Sequence, residues 1–87
     1  MTVLGVVVTV SIFTAGITIA IGGYGPSRGE GQALAQALDA ISRQPDEAER
    51  IRSTLFIGMA MVESTAIYAL VIALILLFAN PLLELVK

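Results

Sequence analysis

Two long stretches of the chain carry almost no charge. From Thr2 to Ile21 every residue is apolar, small or a hydroxyl-bearing Thr or Ser, and from Ser53 to Asn80 the only charged residue is Glu63. About 20 predominantly apolar residues cross a bilayer as a helix, so each stretch predicts a membrane span. Between them, Gln32 to Ser42 is rich in Ala, Leu and Gln, good helix formers, which carries the first helix beyond the membrane as far as Arg43-Gln44-Pro45. Proline marks the turn. Asp46, Glu47 and Glu49 follow it in what is then the first turn of the second helix, where acidic side chains suit the helix dipole. The second helix is expected to stop near Asn80-Pro81. The pattern therefore predicts an all-α membrane protein, one hairpin over residues 1–87, with helix 1 at about 2–42, a loop at about 43–46 and helix 2 at about 47–80.

The small residues predict what the hairpin packs against. Gly16, Ala20, Gly23, Ser27, Gly31 and Ala35 recur at steps of four or three and share one face of helix 1; Gly25, Gly29 and Ala33 form a second row. The rows are offset by two positions, about 200° around the helix, so they lie on opposite flanks. Rows of small residues let membrane helices approach closely, and a helix with one on each flank joins two neighbours through a repeated head-to-tail contact that closes into a ring. Packing helix 1 against helix 2 accounts for one row only. Glycine also costs about 1 kcal/mol relative to alanine inside a helix, so this density of glycine requires a packing reason.

A polar stripe occupies another face: Tyr24, Arg28, Gln32, Gln36, Asp39 and Arg43. Glu30 stands nearly opposite it, with Leu34, Ala37 and Leu38, and so is expected on the side of helix 2. Arg28 then faces the ring lumen and is no counter-ion to the acids, with Pro26 able to bend the helix and rotate this assignment by some tens of degrees.

Composition narrows the chemistry. The chain is 56% hydrophobic with a mean hydropathy of +0.88, and its 14% of charged residues falls well short of the roughly 25% of soluble domains. The net charge of −2 mixes both signs without a basic patch, which gives no argument for a nucleic acid or an anionic membrane surface as partner. With no Cys and no His, disulfides, thiolate chemistry, Cys/His zinc sites and histidine relays are excluded, and ionisable chemistry falls to carboxylates. The first apolar run has no basic region before it and no clear cleavage site after it, so it is expected to be a retained helix; no Arg- and Ser-rich transit segment precedes it, which points to a bacterial membrane. Arg43, Arg50 and Arg52 flank the turn against Lys87 and the amino terminus, so the positive-inside rule puts the loop in the cytoplasm and both termini on the opposite side. The competing reading is a charge-balanced solvated turn made with Asp46, Glu47 and Glu49.

Glu63 is the candidate functional group. A charge at the centre of a span costs about 2.5–3.5 kcal/mol on insertion scales, so Glu63 must be protonated, paired or ion-bound; a buried acid serving as interhelical glue is the plainer alternative. Glu30 and Glu63 stand fifteen and eighteen positions from Pro45, hence at similar depth in the hairpin. Close like charges resist joint ionisation, so at neutral pH at least one of the pair holds a proton. Around Glu63, the Met61 carbonyl and the Ser64, Thr65 and Tyr68 hydroxyls are oxygen ligands that suit a protonated carboxyl or, with Glu30, Glu63 and Ser64 at the centre, a hard cation such as Na⁺. Taken alone, Ser64 and Thr65 suit bonding to the preceding turn and Tyr68 suits packing.

These residues together resemble the c subunit of F-type ATP synthases, the rotor-ring proteolipid. The likeness covers nearly the whole chain: Gly23, Gly25, Gly29 and Gly31 on helix 1, the Arg43-Gln44-Pro45 loop, the Glu63-Ser64-Thr65-Ala66-Ile67-Tyr68 run, and Phe78-Ala79-Asn80-Pro81. The resemblance implies that Glu63 carries one ion per protomer past a stator protein, that Arg43, Gln44 and Pro45 contact the central stalk, that membrane lipids surround the ring, and that the chain has no catalytic residues and no cofactor. The Glu-Ser-Thr and Tyr pattern is similar to sodium-binding members, in which a glutamine on helix 1 helps hold the ion. Glu30 stands at that position here, and Gly29-Glu30-Gly31 resembles the N-type branch, which carries two acids. Ser27 replaces a usual glycine, and a bulkier residue in the packing row spreads neighbours, which predicts a large ring. The expected cargo is H⁺, with Na⁺ as the alternative and a small pore-forming or structural oligomer as the remote one.

Overall fold

The computed structural model describes residues 2–87. Helix α1 runs from Val3 to Arg43. A 3₁₀ turn, Pro45–Glu47, opens helix α2, Ala48–Phe78, and a short helix α3, Leu83–Val86, ends the chain. The rise of about 1.5 Å per residue makes α1 roughly 61 Å long, which accounts for the 64 Å long axis of the molecule. A hydrocarbon core is about 30 Å thick, so each long helix crosses it and continues well beyond.

Local chemistry sets the ends. The Thr2 hydroxyl accepts from the Gly5 N–H at 2.9 Å and caps α1. At the far end the chain reverses in a single residue: Gln44 leaves the helical region (φ −133°, ψ 69°), as the residue before a proline does, while its N–H still bonds the Ala40 carbonyl. Pro45 then occupies the first position of the 3₁₀ turn, where a missing N–H costs nothing. The connection is thus tighter than the four-residue loop expected from sequence. Around it Arg43 pairs with Asp39 at 3.2 Å, Arg50 with Glu47 at 3.4 Å, and Arg52 with Glu49. All three pairs are exposed and each contributes little to stability.

The seam between the long helices is built largely from small side chains. Covered positions on α1 recur at steps of four and three: Leu4, Val8, Ser11, Ala15, Thr18, Gly22, Pro26 and Gly29. Their counterparts on α2 include Ile51, Leu55, Met59, Ala66, Ala69, Ala73 and Leu76. Ala15 and Ala73 are the only buried apolar side chains among the described residues. Almost the entire apolar surface is therefore uncovered, from Phe13 and Ile21 on α1 to Phe56, Ile57 and Phe78 on α2. Neither helix is the buried core of a soluble domain, so lipid and neighbouring protomers must supply the missing contacts.

A buried polar contact pins the terminal end of the hairpin. Asn80, 7% exposed, donates through Nδ2 to the Ser11 hydroxyl at 2.7 Å, and its Oδ1 accepts from the Leu82 N–H at 3.0 Å. One side chain thus holds the end of α2 against α1 and caps the turn into α3. Replacing Asn80 with alanine strands a buried hydroxyl and a backbone N–H, which costs about 1–3 kcal/mol. Hydrogen exchange at Leu82 and the following amides is expected to accelerate in N80A while amides near Gln44 keep their protection.

Candidate functional site

The antiparallel rise of the two helices brings Glu30 and Glu63 to one level. The two side chains are neighbours across the hairpin, Glu30 half-buried and Glu63 exposed on its flank. Two neighbouring carboxyls can hydrogen-bond to each other only when one of them carries a proton. Gly29, one residue before Glu30, places no side chain between the helices: a Cβ there would stand 3.9 Å from Val62 Cγ1. On the loop side of the pair, Gly29, Glu30, Ala33, Thr54, Leu55, Gly58, Met59 and Val62 line an apolar cleft of about 280 Å³ between α1 and α2.

The other candidate ligands divide. Ser64 donates to the Met61 carbonyl at 2.6 Å, so these two oxygens face each other across one helical turn. Tyr68 is 66% exposed and Met61 71% exposed. By helical spacing Met61, Thr65 and Tyr68 project from the flank of α2 opposite Glu63, while Ser64 lies on its back. A single hairpin therefore gathers the two acids but not the hydroxyl cage.

Arg28 lies apart from the acids. Its guanidinium donates to the Tyr24 hydroxyl at 3.1 Å and stands 5.9 Å from that ring's centroid. Arg43, Gln44 and Pro45 form the exposed tip of the hairpin.

The helix wheel does not place the glycine rows as the structure does. Gly16, Gly23 and Gly31 have nothing near the position of a Cβ, which leaves the first row open to a neighbour. The second row is divided: Gly25 is open, whereas Gly29 and Ala33 turn into the seam with α2. Gly22, which belongs to neither row, makes the closest approach, since a Cβ there would stand only 2.5 Å from Ala69 Cβ. Its signal in the sequence is its position seven residues before Gly29 and seven after Ala15, on the covered face.

Known proteins resemble this chain over most of its length. The family model for the C subunit of ATP synthase matches residues 13–76, which include the glycine-rich part of α1, the turn and the Glu63 region. An ATP synthase c subunit from Cereibacter sphaeroides, the one numbered 2, is 56% identical over 71 residues, 82% of this chain and 86% of that protein. The ATP synthase c subunit numbered 1 from Pelobacter propionicus is 49% identical over 73 residues, covering 84% and 80%. A chloroplastic ATP synthase c subunit from Rhodomonas salina is 46% identical over 76 residues, covering 87% and 93%. This apolar helical hairpin, matched over most of its length by proteins of one kind, belongs to the ATP synthase c-subunit family, the non-catalytic rotor-ring component of the ATP synthase complex.

Proposed function

We propose that this chain carries H⁺ through the membrane as one protomer of a closed rotor ring, with Glu63 as the carrier and Glu30 as its proton-sharing partner. The observation that carries this reading is the facing pair of carboxyls at one depth. An ionised carboxylate facing lipid is disfavoured by about 2.5–3.5 kcal/mol, roughly two orders of magnitude in population, so the protomer moves through lipid neutral. At the stator, an aqueous half-channel and a stator arginine favour release of the proton. Each protomer then re-enters lipid only after reloading. Rotation of the ring couples this cycle to ATP synthesis or, in reverse, to pumping.

In that assembly the open row of Gly16, Gly23, Ser27 and Gly31 on one flank and Gly25 on the other meet neighbouring protomers, and the exposed Arg43, Gln44 and Pro45 tip meets the central stalk. The three arginines in and beside the turn support a cytoplasmic tip in a bacterial inner membrane, with both termini opposite.

Sodium is the second reading, favoured by one observation: Thr65 and Tyr68 are exposed on the flank opposite Glu63, where a neighbour in a ring would meet their hydroxyls. Proton transport is the better supported because Ser64 and the Met61 carbonyl already satisfy each other. Labelling with a hydrophobic carbodiimide separates the two. Glu63 is expected to react at mildly acidic pH, more slowly as pH rises, with millimolar Na⁺ changing the rate little. Strong protection by Na⁺ at neutral pH would assign the site to sodium, and no labelling at any pH would remove the carrier role.

A further inference from the structure

We propose that Arg28, with Tyr24, forms a phosphate-binding site for the headgroup of an anionic phospholipid held in the ring lumen; the inference rests on the ring arrangement proposed above. Charge pairing points to it first. The chain has five basic side chains, and four of them, Arg43, Arg50, Arg52 and Lys87, each hold a carboxylate three or four residues away. Among the described residues Arg28 holds none. The positions that could supply one on its own helix face are Tyr24, Gly25, Gly31 and Gln32. Glu30 is turned toward Glu63 instead. The guanidinium is left with one neutral partner, the Tyr24 hydroxyl, and with most of its donor fork unused.

Depth points the same way. From Val3 to Gly23 α1 carries no charge, and twenty rises of about 1.5 Å make roughly 30 Å, one hydrocarbon thickness. Tyr24 and Arg28 follow where the interface then falls, and tyrosine and arginine are the residue types that anchor there. On α2 the apolar surface continues further toward the loop, to Phe56, which is 63% exposed. Phe56 is level with about residue 35 of α1, as judged from the Gly22–Ala69 and Ser11–Asn80 pairs, so the two boundaries differ by roughly 10 Å along the axis. One flat bilayer cannot meet both faces. A closed ring separates them into an outer bilayer against α2 and an inner patch against α1, whose headgroups lie at Arg28.

A ring also changes the electrostatics. One arginine per chain makes no basic patch, but a ring repeats it in a single layer beside hydrocarbon, where like charges repel strongly and require anions. A phosphodiester meets the need: its oxygens accept both arms of a guanidinium, and the Tyr24 hydroxyl is placed to donate a third bond. A zwitterionic headgroup offers the same phosphate but cancels its charge.

The test uses intact rings, stripped of lipid by detergent exchange, given equal amounts of phosphatidylglycerol and phosphatidylcholine, and weighed by native mass spectrometry. Wild-type rings are expected to retain phosphatidylglycerol over phosphatidylcholine by about tenfold, the scale of a charge-assisted hydrogen bond. Arg28→Gln is expected to abolish the preference, and Arg28→Lys to keep part of it. Equal retention of the two lipids by intact wild-type rings overturns the proposal, whether or not R28Q assembles. Loss of the preference on adding tens of millimolar inorganic phosphate also overturns it, by assigning a free anion to the site. The same spectra report the oligomer, so absence of a ring is read separately from absence of lipid selectivity.

Discussion

Glu63→Gln is expected to abolish rotary ion transport while leaving ring assembly intact. Glutamine has nearly the shape of a protonated glutamate and is neutral in lipid, so the ring forms and its protomers cross the hydrocarbon as before. It cannot release or take up a proton. Every protomer reaching the stator therefore stalls, and proton-driven ATP synthesis and ATP-driven pumping both fall below detection, a loss of at least the roughly hundredfold that the cost of a charge in lipid imposes on any leak. ATP-driven acidification of inverted vesicles measures it, with ring mass as the control. Glu30→Gln is the informative partner. With Glu63 as carrier, E30Q keeps Glu63 labelling by carbodiimide and keeps transport, because glutamine at position 30 still donates to the Glu63 carboxylate. Transport that survives in E63Q and disappears in E30Q would reverse the two roles.

The pair has a consequence for how protons are held. Strongly interacting carboxyls bind protons as a unit, so with Glu63 as carrier and Glu30 beside it proton-binding curves are expected to report the pair and not Glu63 alone. On the proposed reading the second acid shares the proton of Glu63 without requiring the hydroxyls of Ser64 and Tyr68. In a single hairpin these two side chains point elsewhere. On the proposed reading the acid pair and the sodium cage are alternative ways of neutralising Glu63 in lipid, and the bond of Ser64 to the Met61 carbonyl supports the first.

The hairpin and the level of its acids were legible because they depend on features a sequence displays directly. Uncharged stretches of span length, a proline after a helix end and two helices of equal rise suffice to bring Glu30 opposite Glu63. The rotational setting of α1 was less legible. In a soluble helix the polar face marks solvent and the apolar face the core, but lipid, neighbour and partner helix are all apolar, so residues 3–23 carry little contrast to orient them. Small residues identify close contacts without saying with what. That is why the row holding Gly29 and Ala33 suits a ring neighbour on the wheel yet meets α2 in the fold, and why no row on the wheel singles out Gly22. The Ser11–Asn80 bond was hidden for another reason: it joins residues 69 positions apart, and neither is unusual where it stands. Ser64 shows the reverse case, a hydroxyl whose neighbours in sequence suggest an ion and whose bond is to the turn before it.

Gly22 is expected to be the least replaceable glycine of the single hairpin. An added Cβ would stand 2.5 Å from Ala69 Cβ, a separation that carbon atoms preferring about 3.5–4.0 Å cannot hold, and neither methyl can rotate away. The helices must part by about an ångström, which forfeits much of the dispersion attraction along the tight half of the seam around Ala15 and Ala73. Overpacking of this kind costs about 1–3 kcal/mol, against which alanine returns about 1 kcal/mol of helix propensity. Gly22→Ala is therefore expected to lose up to about 2 kcal/mol, and Gly22→Leu to prevent native pairing of the helices, since its whole side chain meets Ala69. The swap Gly22→Ala with Ala69→Gly restores the clearance and exchanges the propensity terms, so the double variant should return close to wild-type stability. Distances between spin labels on α1 and α2 and thermal unfolding in detergent measure both effects. Gly16→Ala provides the contrast: nothing lies near its Cβ position within the hairpin, so an isolated protomer tolerates it, and any loss seen only in the assembled ring reports a neighbouring protomer at that face. A double variant no more stable than G22A alone would mean that the approach of Gly22 to Ala69 does not set the spacing of the helices.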